Sequence, residues 1–262
     1  MNNIGILLFL AILPIIVILS IVYNKDKKKE PSILLIQLFI SGIIASIMVA
    51  WISHFTSDLI PFMRKANKSV LELFLYSFIG IALVEELCKW IMLYIKGYHH
   101  KEFDETYDMI VYAVFVSLGF AFFENIIYIL KIGKISTAIM RAVLSVPGHA
   151  CDAIFMGYYL SIAKQHYYKK QKQKKRKYIL LSIIIPAVLH GVYDFCVMSK
   201  IRELIVVIII FILIEIIYIF ALKKLEEFSN KSKIIKKKIT YCKKCGYKVD
   251  SKFCRKCGTE QE

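Results

Sequence analysis

Ionisable side chains recur inside the most apolar stretches of this sequence. They comprise two adjacent glutamates with a lysine, a Glu-Asn pair, and two histidines that each precede an aspartate: Glu85, Glu86, Lys89, Glu124, Asn125, His149, Asp152, His190 and Asp194. A charged side chain at the centre of a bilayer costs at least about 2.5 kcal/mol, so these residues indicate a functional site. Glutamate can activate water and histidine can hold an oxyanion, which together suit peptide hydrolysis without a Ser or Cys nucleophile.

The spacing within each segment places these residues on shared helix faces. Glu85 and Glu86 are four and three residues before Lys89, a separation that also suits an ordinary structural ion pair. One lysine leaves the second glutamate in need of a partner, and two acids in one dry site suit a general base or a shared proton. His190 and Asp194 are four apart, so the carboxylate could orient the imidazole or join it as a metal ligand.

The segments that must position these residues are long enough to cross a membrane. The chain is 58% hydrophobic with a mean hydropathy of +0.58, which excludes an ordinary soluble domain. Seven segments could each span about 30 Å of hydrocarbon as helices: 4–23, 32–53, 70–96, 108–130, 135–163, 178–198 and 203–222. At about 1.5 Å per residue, Glu85, Glu124, His149 and His190 reach a similar depth. We therefore predict an all-α, polytopic membrane helical bundle of about seven transmembrane helices.

The distribution of basic residues predicts the orientation of the bundle. The net charge of +16 arises from two stretches, 164–177 and 223–262. Alternate loops place fourteen bases on one side of the membrane and seven on the other. Because cytoplasmic loops are rich in Lys and Arg, we expect the N-terminus outside and the C-terminal tail in the cytoplasm of a cell-membrane protein. The basic stretches also favour contact with anionic lipid of the bilayer over contact with nucleic acid.

The tail carries a separate metal-binding pattern. Cys242 and Cys245 form one C-x₂-C-G knuckle, and Cys254 and Cys257 form a second, with eight residues between them. Four thiolates at this spacing predict a structural zinc ribbon with no open coordination position for hydrolysis. We expect the ribbon to dock or sense a partner that the sequence does not identify.

Taken in order, these motifs resemble the PrsW family of bacterial intramembrane proteases, which is distantly related to the CAAX-protease and bacteriocin-processing superfamily. The matching pieces are the family's Glu-Glu-x-x-Lys, its Phe-Ala-x-x-Glu-Asn, a histidine followed by a small-residue helix, and a final histidine motif: Glu85 to Lys89, Phe120 to Asn125, His149, and His190 to Asp194. The resemblance covers about residues 70–198.

The resemblance implies an endopeptidase that cuts a membrane-anchored protein, such as an anti-sigma factor. It implies that Glu85 or Glu86 is the base that activates water. It further implies that His149 and His190 either stabilise the oxyanion or bind a catalytic metal, and it leaves the need for that metal open.

The predicted organisation has four parts. Residues 1–53 form two uncharged transmembrane helices, 70–222 the catalytic core, 223–240 a basic linker and 241–262 the zinc ribbon. Two other functions remain open on the sequence. One is a non-enzymatic membrane protein, either a proton-coupled transporter or an adaptor, and the other is a CAAX-like processing or immunity protein.

Overall fold

The fold is an all-α bundle with a small C-terminal tail. The computed structural model describes residues 3–60, 69–199, 216, 219–221, 223, 225–230, 232, 240–242, 244–245, 247–249, 253 and 255–260. The helices are α1 (Ile4–Lys25), α2 (Ser32–Leu59), α3 (Val70–Leu75), α4 (Val84–Leu93), α5 (Asp108–Ile132), α6 (Ile135–Met140), α7 (Val146–Tyr168) and α8 (Lys172–Met198). The tail contains β1 (Thr240–Tyr241) and β2 (Lys248–Val249), which pair antiparallel.

In the described part of the chain, three π-helical turns interrupt the α-helices without breaking the helical path. Tyr76–Leu83 joins α3 to α4, Tyr94–Tyr98 extends α4, and Arg141–Ser145 joins α6 to α7. Such turns are frequent at functional sites because the extra residue rotates the side chains that follow it. Here two of them immediately precede the segments that carry the Glu-Glu pair and the first histidine.

The multi-pass character predicted from hydropathy is confirmed. In the part of the chain that the structure describes, five helical segments are long and apolar enough to cross a membrane: Ile4–Lys25, Ser32–Ser57, Asp108–Ile132, Ile135–Tyr168 and Lys172–Met198. The predicted span 70–96 corresponds to the continuous helical run from Val70 to Tyr98. The predicted span 203–222 lies mostly outside the described residues.

Helix α5 lies at the centre of the bundle, packed by α1, α2 and α7. Glycines allow the closest of these approaches. A Cβ on Gly119 of α5 would lie 2.0 Å from the Phe39 carbonyl oxygen of α2, and one on Gly42 would lie 1.9 Å from that of Val116. Small residues let helix backbones come together in this way in membranes.

Helical structure continues beyond residue 222, into part of the predicted linker. Residues 225–230 are helical, with Leu225 buried in the main apolar core. The Phe228 ring meets Tyr158 edge-on at 4.6 Å, and the Ser229 hydroxyl donates to the Lys25 carbonyl at the end of α1. These apolar and capping contacts explain why the segment packs on the bundle.

Replacing Gly119 by alanine tests the glycine-mediated crossing. We expect Gly119→Ala to lower the free energy of unfolding by about 1–3 kcal/mol, because the new methyl group overlaps backbone that cannot move aside. Thermal unfolding of the protein in detergent measures the change. Gly5→Ala is the matched control, since its Cβ would meet only the Asn3 side chain, at 3.1 Å; equal stability of the two variants would contradict the crossing.

Candidate active site

Helix α4 supplies the acidic pair and its lysine. Glu86 and Lys89 are almost fully buried, at 0% and 1% exposure. The Lys89 Nζ lies 2.7 Å from Glu86 Oε1 and 3.6 Å from Glu85 Oε2. Lys89 therefore pairs mainly with Glu86. The Glu85 Oε2 and Glu86 Oε2 atoms are buried with no hydrogen-bond partner among the described residues.

His190 on α8 contacts both glutamates. Its Nδ1 lies 2.8 Å from Glu86 Oε1, and its Nε2 lies 3.8 Å from Glu85 Oε2. Asp194, one turn along the same helix, has its Oδ2 3.6 Å from Nε2. Asp152 of α7 has its Oδ2 4.0 Å from Nδ1. The ring is thus surrounded by four carboxylates from three helices.

His149 on α7 connects the acidic pair to α5. Its Nδ1 lies 3.1 Å from Lys89 Nζ, and its Nε2 lies 3.0 Å from Glu124 Oε2. Because an ammonium group can only donate, Nδ1 accepts and Nε2–H donates to Glu124, which assigns a neutral imidazole from the hydrogen-bond pattern. The His149 and His190 rings stand nearly perpendicular with centroids 5.3 Å apart.

An arginine holds the α5 side of the cluster. Arg141 Nη2 lies 2.6 Å from Glu124 Oε2, its Nε donates to Asn125 Oδ1, and its Cζ lies 4.3 Å from the centroid of the Tyr128 ring. Asn125 in turn donates to the Ala11 carbonyl of α1 at 2.6 Å. Asn125 therefore lies behind Glu124, and its polar atoms contact Arg141 and α1.

A cavity of about 350 Å³ opens beside the cluster. Its polar wall comes from α4, α5, α7, α8 and the π-helical turn: Glu85, Glu124, Arg141, His149, Asp152, His190 and Asp194. Apolar side chains complete it, among them Ile81, Ile132, Met140, Leu189 and Val197. A site with convergent polar groups in an otherwise apolar pocket is typical of a binding or catalytic site.

The predicted residues thus converge, and Arg141 joins them. The structure brings Glu85, Glu86, Lys89, Glu124, His149, His190 and Asp194 into one contact network, with Asn125 at its edge. Sequence reasoning assigned no role to Arg141, and it named Asp152 only as one of the ionisable residues inside the apolar segments. Asp152 lies one helical turn after His149, and Arg141 is a base inside a span that requires an acidic partner; these were the available signals.

Two groups of side chains in this network could hold a metal ion. Glu86, His149, Asp152 and His190 each place one ligand atom within 4.8 Å of the others, as do Glu85, Glu124 and His149.

In the tail, Cys242, Cys245 and Cys257 form a third such group, and Cys254 lies outside the described residues. The Cys242 and Cys257 sulfurs are 3.5 Å apart. A hydrogen bond from Thr259 lowers the pKa of the Cys257 thiol to about 6, which favours the thiolate that binds metals.

Comparison with known proteins gives the same family from independent matches. A model of the PrsW family intramembrane metalloproteases matches residues 30–222. Protease PrsW of Oceanobacillus iheyensis is 37% identical over 218 residues, covering 83% of this chain and 94% of the relative. Protease PrsW of Clostridioides difficile is 35% identical over 231 residues, covering 87% of this chain and 93% of the relative. Protease PrsW of Bacillus subtilis is 37% identical over 186 residues, covering 71% of this chain and 79% of the relative.

No solved structure matches this chain. The family match spans most of the chain, including every segment that carries the Glu/His network. The match covers 94% and 93% of the first two relatives. This chain therefore belongs to the PrsW family of intramembrane proteases.

Proposed function

We propose that the Glu/His network is the catalytic site of this membrane protease and that Glu85 is the base that activates water. The observation that carries the proposal is the Glu85 carboxylate. It lines the cavity, and its Oε2 is buried with no hydrogen-bond partner among the described residues. Glu86, by contrast, is bonded to Lys89 and His190. A base needs a carboxylate oxygen that can accept a proton from water.

The donor set Glu86, His149, Asp152 and His190 fits a divalent transition metal. Two imidazoles and two carboxylates are ligands that zinc and related metals accept, and the orphaned Glu86 Oε2 provides a buried acceptor for a cation. When bound, such an ion would polarise the scissile carbonyl and acidify a coordinated water. Asp194 orients the His190 ring in this proposal.

Arg141 and Asn125 act in this proposal as positioning residues. Arg141 fixes the Glu124 carboxylate through a 2.6 Å contact, and Glu124 accepts from His149. Asn125 holds Arg141 against α1. This chain of contacts sets the direction of the His149 ring, which is a requirement for catalysis because small misplacements of a reacting group are costly.

The substrate is a membrane-anchored protein, and we propose a regulatory one such as an anti-sigma factor. The cavity reaches Ile132 at the end of α5 and Met198 at the end of α8. In the orientation predicted from the loop charges, these helix ends face the outside of the cell. We therefore propose that the cleaved bond lies in the outer part of the substrate's membrane span.

We propose that the tail is a structural zinc ribbon on the cytoplasmic side. Tetrahedral zinc with bonds of about 2.3 Å requires sulfur atoms roughly 3.8 Å apart, close to the 3.5 Å between Cys242 and Cys257. Cys245 lies in the same group, and Cys254 would supply the fourth ligand. The role of the ribbon would be to bind a partner protein.

Glutamate-to-glutamine substitutions test the catalytic proposal. Glu85→Gln is expected to lower cleavage by about 10²–10⁴-fold, because the amide cannot accept the proton of water. Glu86→Gln is expected to lower it as well, since it removes a candidate ligand. Fragments of membrane-anchored proteins are compared in cells that express each variant or the wild type.

Glu72→Gln is the matched control for these variants. Glu72 forms a capping box with Ser69 at the start of α3, and glutamine preserves that box. Full cleavage by inserted Glu85→Gln and Glu86→Gln proteins would rule out the proposed site. A cleaved substrate that is not an anti-sigma factor would refute the narrower substrate proposal alone.

Removal of the Lys89 charge tests its pairing role. We expect Lys89→Met to lower the free energy of unfolding by about 3–5 kcal/mol, because Glu86 then remains buried without its cation. Denaturant unfolding in detergent measures the change. Lys96, an exposed lysine that follows the same helix, provides the control. Lys96→Met should have little effect on the free energy of unfolding. An equal loss of stability in the two variants would contradict the pairing of Lys89 with Glu86.

Metal analysis separates the two proposed metal centres. In purified protein, Cys242→Ser should remove one equivalent of zinc and leave the cluster's metal and the proteolysis intact. His149→Ala should remove the other metal and leave the tail zinc. Elemental analysis after dialysis gives both counts, and a His149→Ala protein with unchanged metal content would exclude the proposed ligand set.

A further inference from the structure

A second cavity lies at the turn between α7 and α8, away from the Glu/His network. Its volume is about 480 Å³, and its charge comes from Lys170, Lys172, Lys175 and Arg176. The sequence contains no acidic residue between Asp152 and Asp194. No acidic residue of this stretch can therefore neutralise these bases.

The bases of this cavity are available to a ligand. Within the described part of the chain, no carboxylate forms an ion pair with Lys170, Lys172 or Arg176. Lys175 lies over the Tyr167 ring, with its Nζ 5.0 Å from the ring centroid. Lys170, Lys172 and Arg176 are thus exposed and without a carboxylate partner, and the Tyr167 ring contacts a further lysine of the cavity.

The backbone at this turn adds hydrogen-bond donors. Lys170 has a φ of 56°, a left-handed conformation that residues other than glycine rarely adopt. It is followed by Gln171, the N-cap of α8, whose side chain makes no hydrogen bond to the first turn. The Gln171 side chain instead contacts His166 Nδ1 at 2.6 Å. The Gln171 side chain therefore does not cap the first amides of α8, and the start of a helix is suited to an anion.

The surroundings of the cavity place it at the level of lipid headgroups. Tyr167 and Tyr168, at the end of α7, are exposed, as are Leu180 and Ile184 two to three turns into α8. Exposed tyrosines next to exposed aliphatic residues are typical of the boundary between headgroups and hydrocarbon. Ile179 also lines the cavity, so an acyl chain could continue along α8 from a bound headgroup.

We propose that this cavity binds the phosphate of an anionic phospholipid headgroup. Basic pockets between transmembrane helices are suited to such headgroups, because several cations and free amides surround one phosphodiester. The site depends neither on the catalytic residues nor on the tail. Its occupant would come from the leaflet in which the α7–α8 turn lies.

The test uses the full chain in vesicles of phosphatidylcholine that contain a small fraction of phosphatidylglycerol. Electron paramagnetic resonance of spin-labelled phosphatidylglycerol gives its association with the protein relative to spin-labelled phosphatidylcholine. We expect a clear preference for the anionic lipid. The triple variant Lys170→Gln, Lys172→Gln, Arg176→Gln should reduce that preference by about tenfold.

The matched control removes the same charge from the same turn. Lys169, Lys174 and Lys177 do not line the cavity, and their joint replacement by glutamine should reduce the preference by less than about twofold if a built site exists. Equal losses in the two triple variants would overturn the proposal, because they would reveal only diffuse attraction between the basic turn and the membrane.

Two further experiments distinguish the proposed lipid site from a loss of fold and from binding of a soluble ligand. Exchanging the bases in the variant Lys170→Arg, Lys172→Arg, Arg176→Lys keeps the charge and should keep the preference; its loss would contradict binding by these cations. Soluble glycerophosphate should displace the labelled lipid only weakly. If it displaces the lipid fully at low concentration, the site binds a soluble phosphate and the lipid proposal is wrong.

Discussion

The buried ammonium group of Lys89 forms the interactions on which the Glu/His network depends. A charge that leaves water must find opposite charge and hydrogen-bond acceptors, or the bundle does not tolerate it. Lys89 contacts Glu86 at 2.7 Å and His149 at 3.1 Å, and its Nζ lies 4.2 Å from the centroid of the Phe120 ring. One cation therefore joins α4, α5 and α7. It also determines which nitrogen of His149 carries the proton, and through it the hydrogen bond to Glu124.

The distribution of cations distinguishes the acids of the network from one another. Lys89 neutralises Glu86, and Arg141 neutralises Glu124. Glu85 has only longer contacts, to Lys89 at 3.6 Å and to His190 at 3.8 Å, and its Oε2 has no hydrogen-bond partner among the described residues. A protein that satisfies nearly all buried polar groups leaves one unsatisfied where the ligand or water completes it. Glu86 Oε2 is also unsatisfied, but the other Glu86 oxygen is bonded to Lys89 and His190, so the incomplete pairing of Glu85 supports the proposal that Glu85 is the base.

The sequence was sufficient to predict the bundle and the shared depth of its polar residues, because hydropathy and helical rise are local properties. It predicted that Lys89 would meet a glutamate, but could not choose Glu86 over Glu85. That choice depends on tertiary contacts, among them the contact of Glu86 with His190 of α8. The Asn125 contact with Ala11 joins residues 114 positions apart, and no local pattern reports such a pairing. The same holds for the helical continuation at 225–230, which depends on surfaces supplied by α1 and α7.

The central position of α5 connects the packing of the bundle with its chemistry. Along little more than two turns, α5 presents the Ser117 hydroxyl to the His149 carbonyl at 2.8 Å, the Phe120 ring to Lys89, and the Glu124 carboxylate to the His149 ring. These contacts require α5 to be covered on several sides, since water would otherwise solvate the charges and weaken their attraction. Gly119, within the same stretch, permits the close approach of α2. The same stretch of α5 therefore packs the bundle through Gly119 and positions the side chains of the Glu/His network.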